Sequence, residues 1–230
     1  MTAANNLPVD TPPFPLNTTF KYNSKTSALA QVLGVTAGSV TDMIKRLSKM
    51  RPKLVSHELH KGVALTSSGK KAALNVLRRH RLLETFLHRV LGFSWDEVHD
   101  EAEKLEHHIS DRLTDAIAEY LNHPQYDPHG DPIPEKSGKM KAANYRTLLT
   151  TPVGDTVRIA RVRHTDSELL RYLDKLGIGL ETIVTVVEKA PFDGPISIRV
   201  GPQRQAPIRT LGINVADDIM VNPISESPSA

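Results

Sequence analysis

The 230-residue sequence contains no cysteine. That excludes disulfides, thiolate metal sites and cysteine nucleophiles. No apolar run approaches the roughly 20 residues needed to cross a bilayer. The opening residues, MTAANNLPVDTPPFPLN, lack the basic start and apolar stretch of a secretory signal, so a cytoplasmic location is expected. Catalytic signatures are missing as well: there is no His-Glu-x-x-His, no nucleophile elbow and no Gly-rich phosphate loop. The chain is therefore expected not to be an enzyme, with a metal-dependent hydrolase kept only as a competing reading.

Acid is scarce in one stretch and base in the next. Residues 21–81 hold thirteen Lys and Arg against two acids, Asp42 and Glu58, whereas residues 84–135 hold thirteen acids against Arg89, Lys104 and Arg112. A basic block beside an acidic one fits a polyanion-binding module joined to a cation-binding one. Two differently solvated surfaces would give the same charge pattern.

Residues 1–24 carry Pro8, Pro12, Pro13 and Pro15 without an apolar period and read as an irregular arm. Periodic order starts near Thr26. Ala28, Leu29, Val32 and Leu33 mark a short amphipathic helix, Gly34-Val35 a turn, and Thr36 the N-cap of a second helix with Val40, Ile44 and Leu47 inward. This is a helix-turn-helix pattern. Its second helix presents Thr36, Ser39, Thr41, Asp42 and Lys45 outward, with Arg46 and Lys49 beyond, which suits contacts to base edges and phosphates of double-stranded DNA. Residues 53–55 and 63–66 alternate like strands about His60-Lys61-Gly62, a wing with Lys61 at its tip for a phosphate. A long helix then begins at residues 66–69, with Ala72, Leu74, Leu77, Leu82 and Leu83 as its apolar positions.

The stretch RRHRLLETFLHRVLGFSWDEVHDEAEKLEHH organises the chain. His80 and Glu84 are four apart on the long helix. A helix over 95–109, capped by Ser94, carries His99, Glu103, Glu106 and His107 at offsets of 0, +4, +7 and +8. At about 3.6 residues per turn these share one face. Facing helices would gather three imidazoles and three carboxylates, a donor set for a divalent cation; a solvated face with ion pairs to Arg79 and Arg81 is the alternative. His57, His60, His88, His123, His129 and His164 read as surface or satisfied core residues, and His108 should point off the ligand face. A further helix over 111–121 spaces Leu113, Ala116, Ile117 and Tyr120 for burial, and the apolar faces together imply a homodimer. NHPQYDPHGDPIPEKSGK reads as a connector. Five short strands follow over 156–162, 183–188, 196–200, 206–209 and 219–221, interrupted by a helix over 167–176; they suggest a small SH3-like barrel.

The expected fold is thus mainly α with a small β domain. It comprises the arm (1–24), a winged helix-turn-helix (25–77), metal-binding and dimerisation helices (78–135), a linker (136–147), a C-terminal SH3-like domain (148–224) and a tail (225–230).

LGVTAGSVTDMIKRL, RRHRLLETFL, DEVHDEAEKLEHHIS and HGDPIP occur in this order. On these segments the chain resembles the diphtheria-toxin-repressor/manganese-transport-regulator (DtxR/MntR) family of metal-dependent transcriptional repressors, with a FeoA-like last domain. The resemblance implies a primary effector site of His80, Glu103, Glu106 and His107 and an ancillary site drawing on His80, Glu84 and His99. Asp166 and Glu168 stand near the place from which the last domain lends further ligands. Iron-responsive relatives carry cysteine at the position of Glu103. A carboxylate there hardens the site, so Mn2+ is expected first, Fe2+ second, and Co2+ or Zn2+ as occupants in vitro. A palindromic operator controlling metal-uptake genes is the implied target. One departure stands out: LPVDTPPFPLNTTFKYNS replaces the family's first amphipathic helix, which packs under the helix-turn-helix and lends an early ligand. Asp10 could substitute only if the arm wrapped back. A member that binds metal but not DNA is the alternative this departure raises.

Overall fold

The computed structural model describes residues 25–58, 62–141, 144–163 and 166–224. The arm, the wing tip with His60 and Lys61, His164 and the tail lie outside them. The chain divides into two compact units, residues 1–75 and 76–230.

In the first unit α1 (Thr26–Val32) and α2 (Ala37–Lys49) form the expected helix pair. Gly34, at φ +62°, ends α1: its N–H donates to Gln31 O, and the Val35 N–H donates to Ala30 O. Those bonds satisfy the last carbonyls through a left-handed residue that glycine adopts without strain. Thr36 caps α2, its hydroxyl accepting from Ser39 N at 3.1 Å. Val40, Ile44, Val55 and Val63 form the core, with Leu29, Ala30 and Leu47 packed against it. The apolar face expected of α1 is only half realised. Leu29 and Ala30 face the core, but Ala28, Val32 and Leu33 are exposed, and α1 has no buried residue. β1 (Val55–Glu58) and β2 (Gly62–Leu65) pair antiparallel as the wing.

α3 (Ser67–Leu91) starts against the wing's base. Thr66 Oγ1 accepts from Gly69 N and donates to Lys53 O, and Thr66 N donates to Leu54 O. A Cβ at Gly69 would fall 1.8 Å from Leu54 O, so only glycine lets α3 begin this close to the strand.

In the second unit α3 continues beside α4 (Val98–Glu106) and α5 (Asp111–Tyr120). Leu82, Leu83, Leu87, Val98, Ala102, Ile117, Ala118 and Ile133 form their shared core. The helix expected over 95–109 is shorter at both ends. Ser94 does not cap it: its hydroxyl donates to Glu97 Oε2 at 2.6 Å, and residues 95–97 remain a turn. The packing expected of α5 is also corrected. Ile117 is buried, beside Thr114 and Ala118, but Leu113 (48%), Ala116 and Tyr120 (71%) are exposed.

β3 (Arg146–Thr147), β4 (Thr156–Val162), β5 (Ile183–Lys189), β6 (Ile196–Val200), β7 (Ile208–Leu211) and β8 (Ile219–Pro223) make one antiparallel sheet, ordered β3-β8-β4-β5-β6-β7. β3 and α7 (Ile213–Asp218) were not apparent as separate elements in the sequence. Register shifts at Ile159/Arg161 and Val186/Glu188 bend β4 and β5. α6 (Ser167–Lys175) covers the core with Leu170 and Leu173, among buried Val157, Ile159, Ile198 and Leu211.

The close approach of α3 to the wing makes a sharp test. Gly69→Ala improves helix propensity yet is expected to lower stability by about 1–3 kcal/mol, because the added carbon meets backbone that cannot yield cheaply. Denaturant unfolding of both proteins measures the difference.

Candidate metal centre

α3 and α4 bring four of the expected residues together. His80 and Glu84 stand one turn apart on α3, with His80 Nε2 2.9 Å from Glu84 Oε1. From α4, His99 Nδ1 lies 3.0 Å from His80 Nε2 and 3.1 Å from Glu84 Oε1. Glu106 Oε2 lies 2.9 Å from His80 Nδ1, on the other edge of the ring. Glu84 is 2% exposed and Glu106 is also buried.

The three atoms His80 Nε2, Glu84 Oε1 and His99 Nδ1 form a triangle with sides near 3 Å. Ligand atoms at that spacing suit a cation about 2.1 Å from each. Imidazole and carboxylate donors suit Mn2+ and Fe2+ as well as Zn2+. The residues present therefore fit a divalent metal. Glu106 has the geometry of a carboxylate that orients a ligating imidazole from behind.

The electrostatics agree. Burial alone would raise the Glu84 carboxyl, but the hydrogen bonds of His80 and His99 and the charge of His80 hold it well below the usual carboxylate range. Burial pulls His80 down, but the hydrogen bond and charge of Glu84, with Glu106 behind, leave it raised. The hydrogen bond to Glu84 raises His99, helped by the charge of Glu103.

Other expected ligands stand apart from this triangle. His107 is the C-cap of α4 and its side chain is 68% exposed; Nε2 meets only Glu106 Oε1, at 3.2 Å. Glu103 is exposed on the same helix. Asp166 caps α6, its Oδ1 accepting from Glu168 N and Leu169 N, and Glu168 is exposed. Among the described residues, neither joins a group of converging ligand atoms.

A second group was missed in the sequence. Ligand atoms of Glu84, Asp127 and His129, all buried, lie within 4.8 Å of one another. HGDPIP is part of a packed loop, not an exposed connector: Asp127, His129, Asp131 and Ile133 are all buried. His129 Nε2 donates to Trp95 O at 2.7 Å. In a neutral ring the Nδ1 lone pair then faces Glu84 Oε1, 3.9 Å away. Burial pushes His129 down. It pushes Asp127 well up, with the charges of Asp131 and Glu84 adding to the shift. Asp127 Oδ1 accepts from His129 N and Asp131 N. The only local signal was Asp-x-His within DPHGD; its partner Glu84 is 43 positions earlier in the numbering, beyond any periodicity.

Of the expected DNA-contacting residues, Thr36, Ser39, Thr41, Asp42 and Lys45 are all exposed. Thr36 is committed to the cap, Thr41 donates to Ala37 O, and Asp42 pairs with Lys45 at 3.4 Å. Lys61 lies outside the described residues.

The metal-free centre has a definite pH signature. With its pKa raised, His80 stabilises the fold fully below its unfolded value near 6.5, and that contribution fades as pH rises through the folded value. A bound metal needs the unprotonated ring, which reverses the trend. The melting-temperature loss in His80→Gln is therefore expected to be larger at about pH 6 than at about pH 8 without metal, and the reverse with Mn2+. Calorimetry in both states checks the sign.

Comparison with known proteins gives the chain's relatives. Residues 66–135 match the family described as "Iron dependent repressor, metal binding and dimerisation domain", and residues 146–223 match the FeoA domain. "HTH-type transcriptional regulator MntR" of Oceanobacillus iheyensis is 36% identical over 103 residues, 45% of this chain and 68% of that protein. "Iron-dependent repressor IdeR" of Mycobacterium tuberculosis is 31% identical over 178 residues, 72% of this chain and 76% of that protein. A solved "Manganese-dependent transcriptional repressor complex with manganese" superposes with a TM-score of 0.75 at 42% identity, covering 87% of this chain and 91% of the other. ScaR with bound Cd2+ gives 0.69 at 30% identity, covering 88% of this chain and 92% of the other. With its metal-binding helices, its FeoA-type sheet and these relatives taken together, the chain belongs to the DtxR/MntR family of metal-dependent transcriptional repressors.

Proposed function

We propose that this chain is a metal-activated, DNA-binding repressor, with Mn2+ as its first effector and Fe2+ as its second, acting as a homodimer on a palindromic operator of metal-uptake genes. The observation that carries the reading is the His80–Glu84–His99 triangle, which gathers side chains of α3 and α4 around one point. Relatives named as manganese- and iron-dependent repressors support it.

The residues divide the work. His80 and Glu84 ride on α3, the same continuous helix that begins at the wing through Thr66 and Gly69. His99 and Glu106 ride on α4. When bound, a divalent cation supplies the charge that lets imidazoles and carboxylates share one centre. His80, Glu84 and His99 then tie α3 to α4, and Glu106 holds the His80 ring in place through Nδ1. His80, Glu103, Glu106 and His107 are assigned to the primary site, in which Glu106 meets His107 Nε2 with one oxygen and His80 Nδ1 with the other. His80, Glu84 and His99 are assigned to the ancillary site, with Asp166 and Glu168 as its weakest members.

Exposed Leu113 and Tyr120 on α5, with Leu91 and Leu105, give apolar surface suited to a second copy. Two recognition helices then sit a fixed distance apart, which favours half-sites about one helical turn apart or a multiple of it. Thr36, Ser39, Thr41, Asp42, Lys45 and Lys61 are the proposed DNA contacts. Because metal favours the DNA-competent state, DNA raises metal affinity by the same factor.

Fluorescence anisotropy with promoter DNA tests this directly. Mn2+ is expected to tighten binding by about 5–150-fold, the usual range of coupling between two sites. His107→Ala is expected to abolish that stimulation, and Glu103→Cys to move the preference from Mn2+ towards Zn2+. Metal binding with no DNA binding would indicate a member that keeps the metal centre alone. Metal-dependent hydrolysis without DNA binding would overturn the repressor reading.

A further inference from the structure

From residue 146 onward the chain holds eight arginines, and they fall into two groups. Five are paired with an acid: Arg146 with Asp155, Arg158 with Glu181, Arg161 with Asp131, Arg163 with Asp217 and Arg171 with Asp96. The other three, Arg199, Arg204 and Arg209, all belong to the hairpin of β6 and β7. Among the described residues their guanidinium groups have no acidic partner and no hydrogen-bond acceptor.

The local sequence explains the difference. Residues 194–216 contain these three arginines and no Asp or Glu, so the hairpin supplies no partner of its own. Arg199 stands opposite Ile208 and Arg209 opposite Ile198, which puts the two arginines one step apart on neighbouring strands. Arg204 lies on the exposed turn between the strands, flanked by exposed Gln203 and Gln205. β7 ends the sheet, so its outer edge pairs with no other described strand. Arg209 Nε is buried without an acceptor. Arg146 and Arg161 share that feature, but each has a terminal nitrogen on an aspartate. Proteins rarely leave such a donor unmet, and an anion that draws the Arg209 guanidinium outward would satisfy it.

The chemistry of the hairpin selects the anion. The planar fork of arginine matches the paired oxygens of a phosphate. At about 3.3 Å per residue the three arginines lie within about 17 Å of one another, a length over which duplex DNA carries about ten phosphates. A protein partner would be met by a broader apolar centre, and among the described residues of the hairpin Ile208 is the one exposed large hydrophobic side chain. Resting on the repressor reading above, we propose that the β6–β7 hairpin is a second DNA-contacting element, in which Arg199, Arg204 and Arg209 bind phosphates of the duplex backbone. It adds affinity without reading bases, which is left to α2.

Salt dependence tests this on the full chain with Mn2+. Anisotropy titrations between 50 and 200 mM NaCl use promoter DNA and a duplex of unrelated sequence. Each phosphate contact contributes about 0.9 to the slope of log affinity against log salt. The triple variant Arg199→Gln, Arg204→Gln, Arg209→Gln is therefore expected to bind both duplexes more weakly, with a slope shallower by about 2–3. The triple Arg→Lys variant keeps the charges and is expected to restore the slope. A glutamine variant with the wild-type slope overturns this proposal alone, while Mn2+-tightened promoter binding by the wild type still upholds the repressor reading. Weakening confined to the promoter duplex also overturns it, because a backbone contact acts on any sequence. A wild-type chain that binds neither duplex overturns both.

Discussion

The candidate metal centre converges on the carboxylate of Glu84. It is almost fully buried, yet it is held in its charged form by two imidazoles: His80 one turn before it and His99 across from it on α4. A buried charge without such partners would cost several kcal/mol and would instead be neutralised. The burial and the histidines therefore require one another. Any change that opens the core around Leu82, Leu83 and Val98 also loosens the donor set, and a change in the donors strains that core.

The loop that carries His129 and Asp131 joins the helices to the sheet. Behind His129, Asp131 Oδ1 accepts from Arg81 of α3 at 3.0 Å and from Arg161 of β4 at 2.8 Å. Val162 N donates to His129 O, and Gly130, at φ +87°, brings the loop so near β4 that a Cβ would lie 2.1 Å from Ala160 O. Asp96 repeats the attachment at a second point, its carbonyl accepting from Ser167 Oγ and its carboxylate meeting Arg171. Through these contacts the FeoA-type sheet forms part of the scaffold that fixes the loop under the metal centre.

Much of this was legible in the sequence, and what was not has a consistent cause. Periodicity placed α2 with Val40 and Ile44 inward, the Thr36 cap and the His80/Glu84 pair, because each depends on neighbours one turn away. Ser94 was misjudged as a cap because its hydroxyl had a competing partner, Glu97, three residues on. Leu113 and Tyr120 have the spacing of core residues, but spacing does not distinguish burial within a chain from burial between chains. His129 and Asp127 were read as part of a connector because proline and glycine dominate their surroundings. Their role depends on contacts to α3 and β4 that no local pattern encodes.

The centre's chemistry has a further consequence. Its donors are imidazole nitrogens and carboxylate oxygens, and the chain has no cysteine anywhere. A thiolate ligand can be driven through sulfenic to sulfinic acid and lost as a donor. Imidazole and carboxylate offer peroxide no such route. The sulfur oxidation that removes a donor from a thiolate centre therefore has no counterpart among the donors of this one.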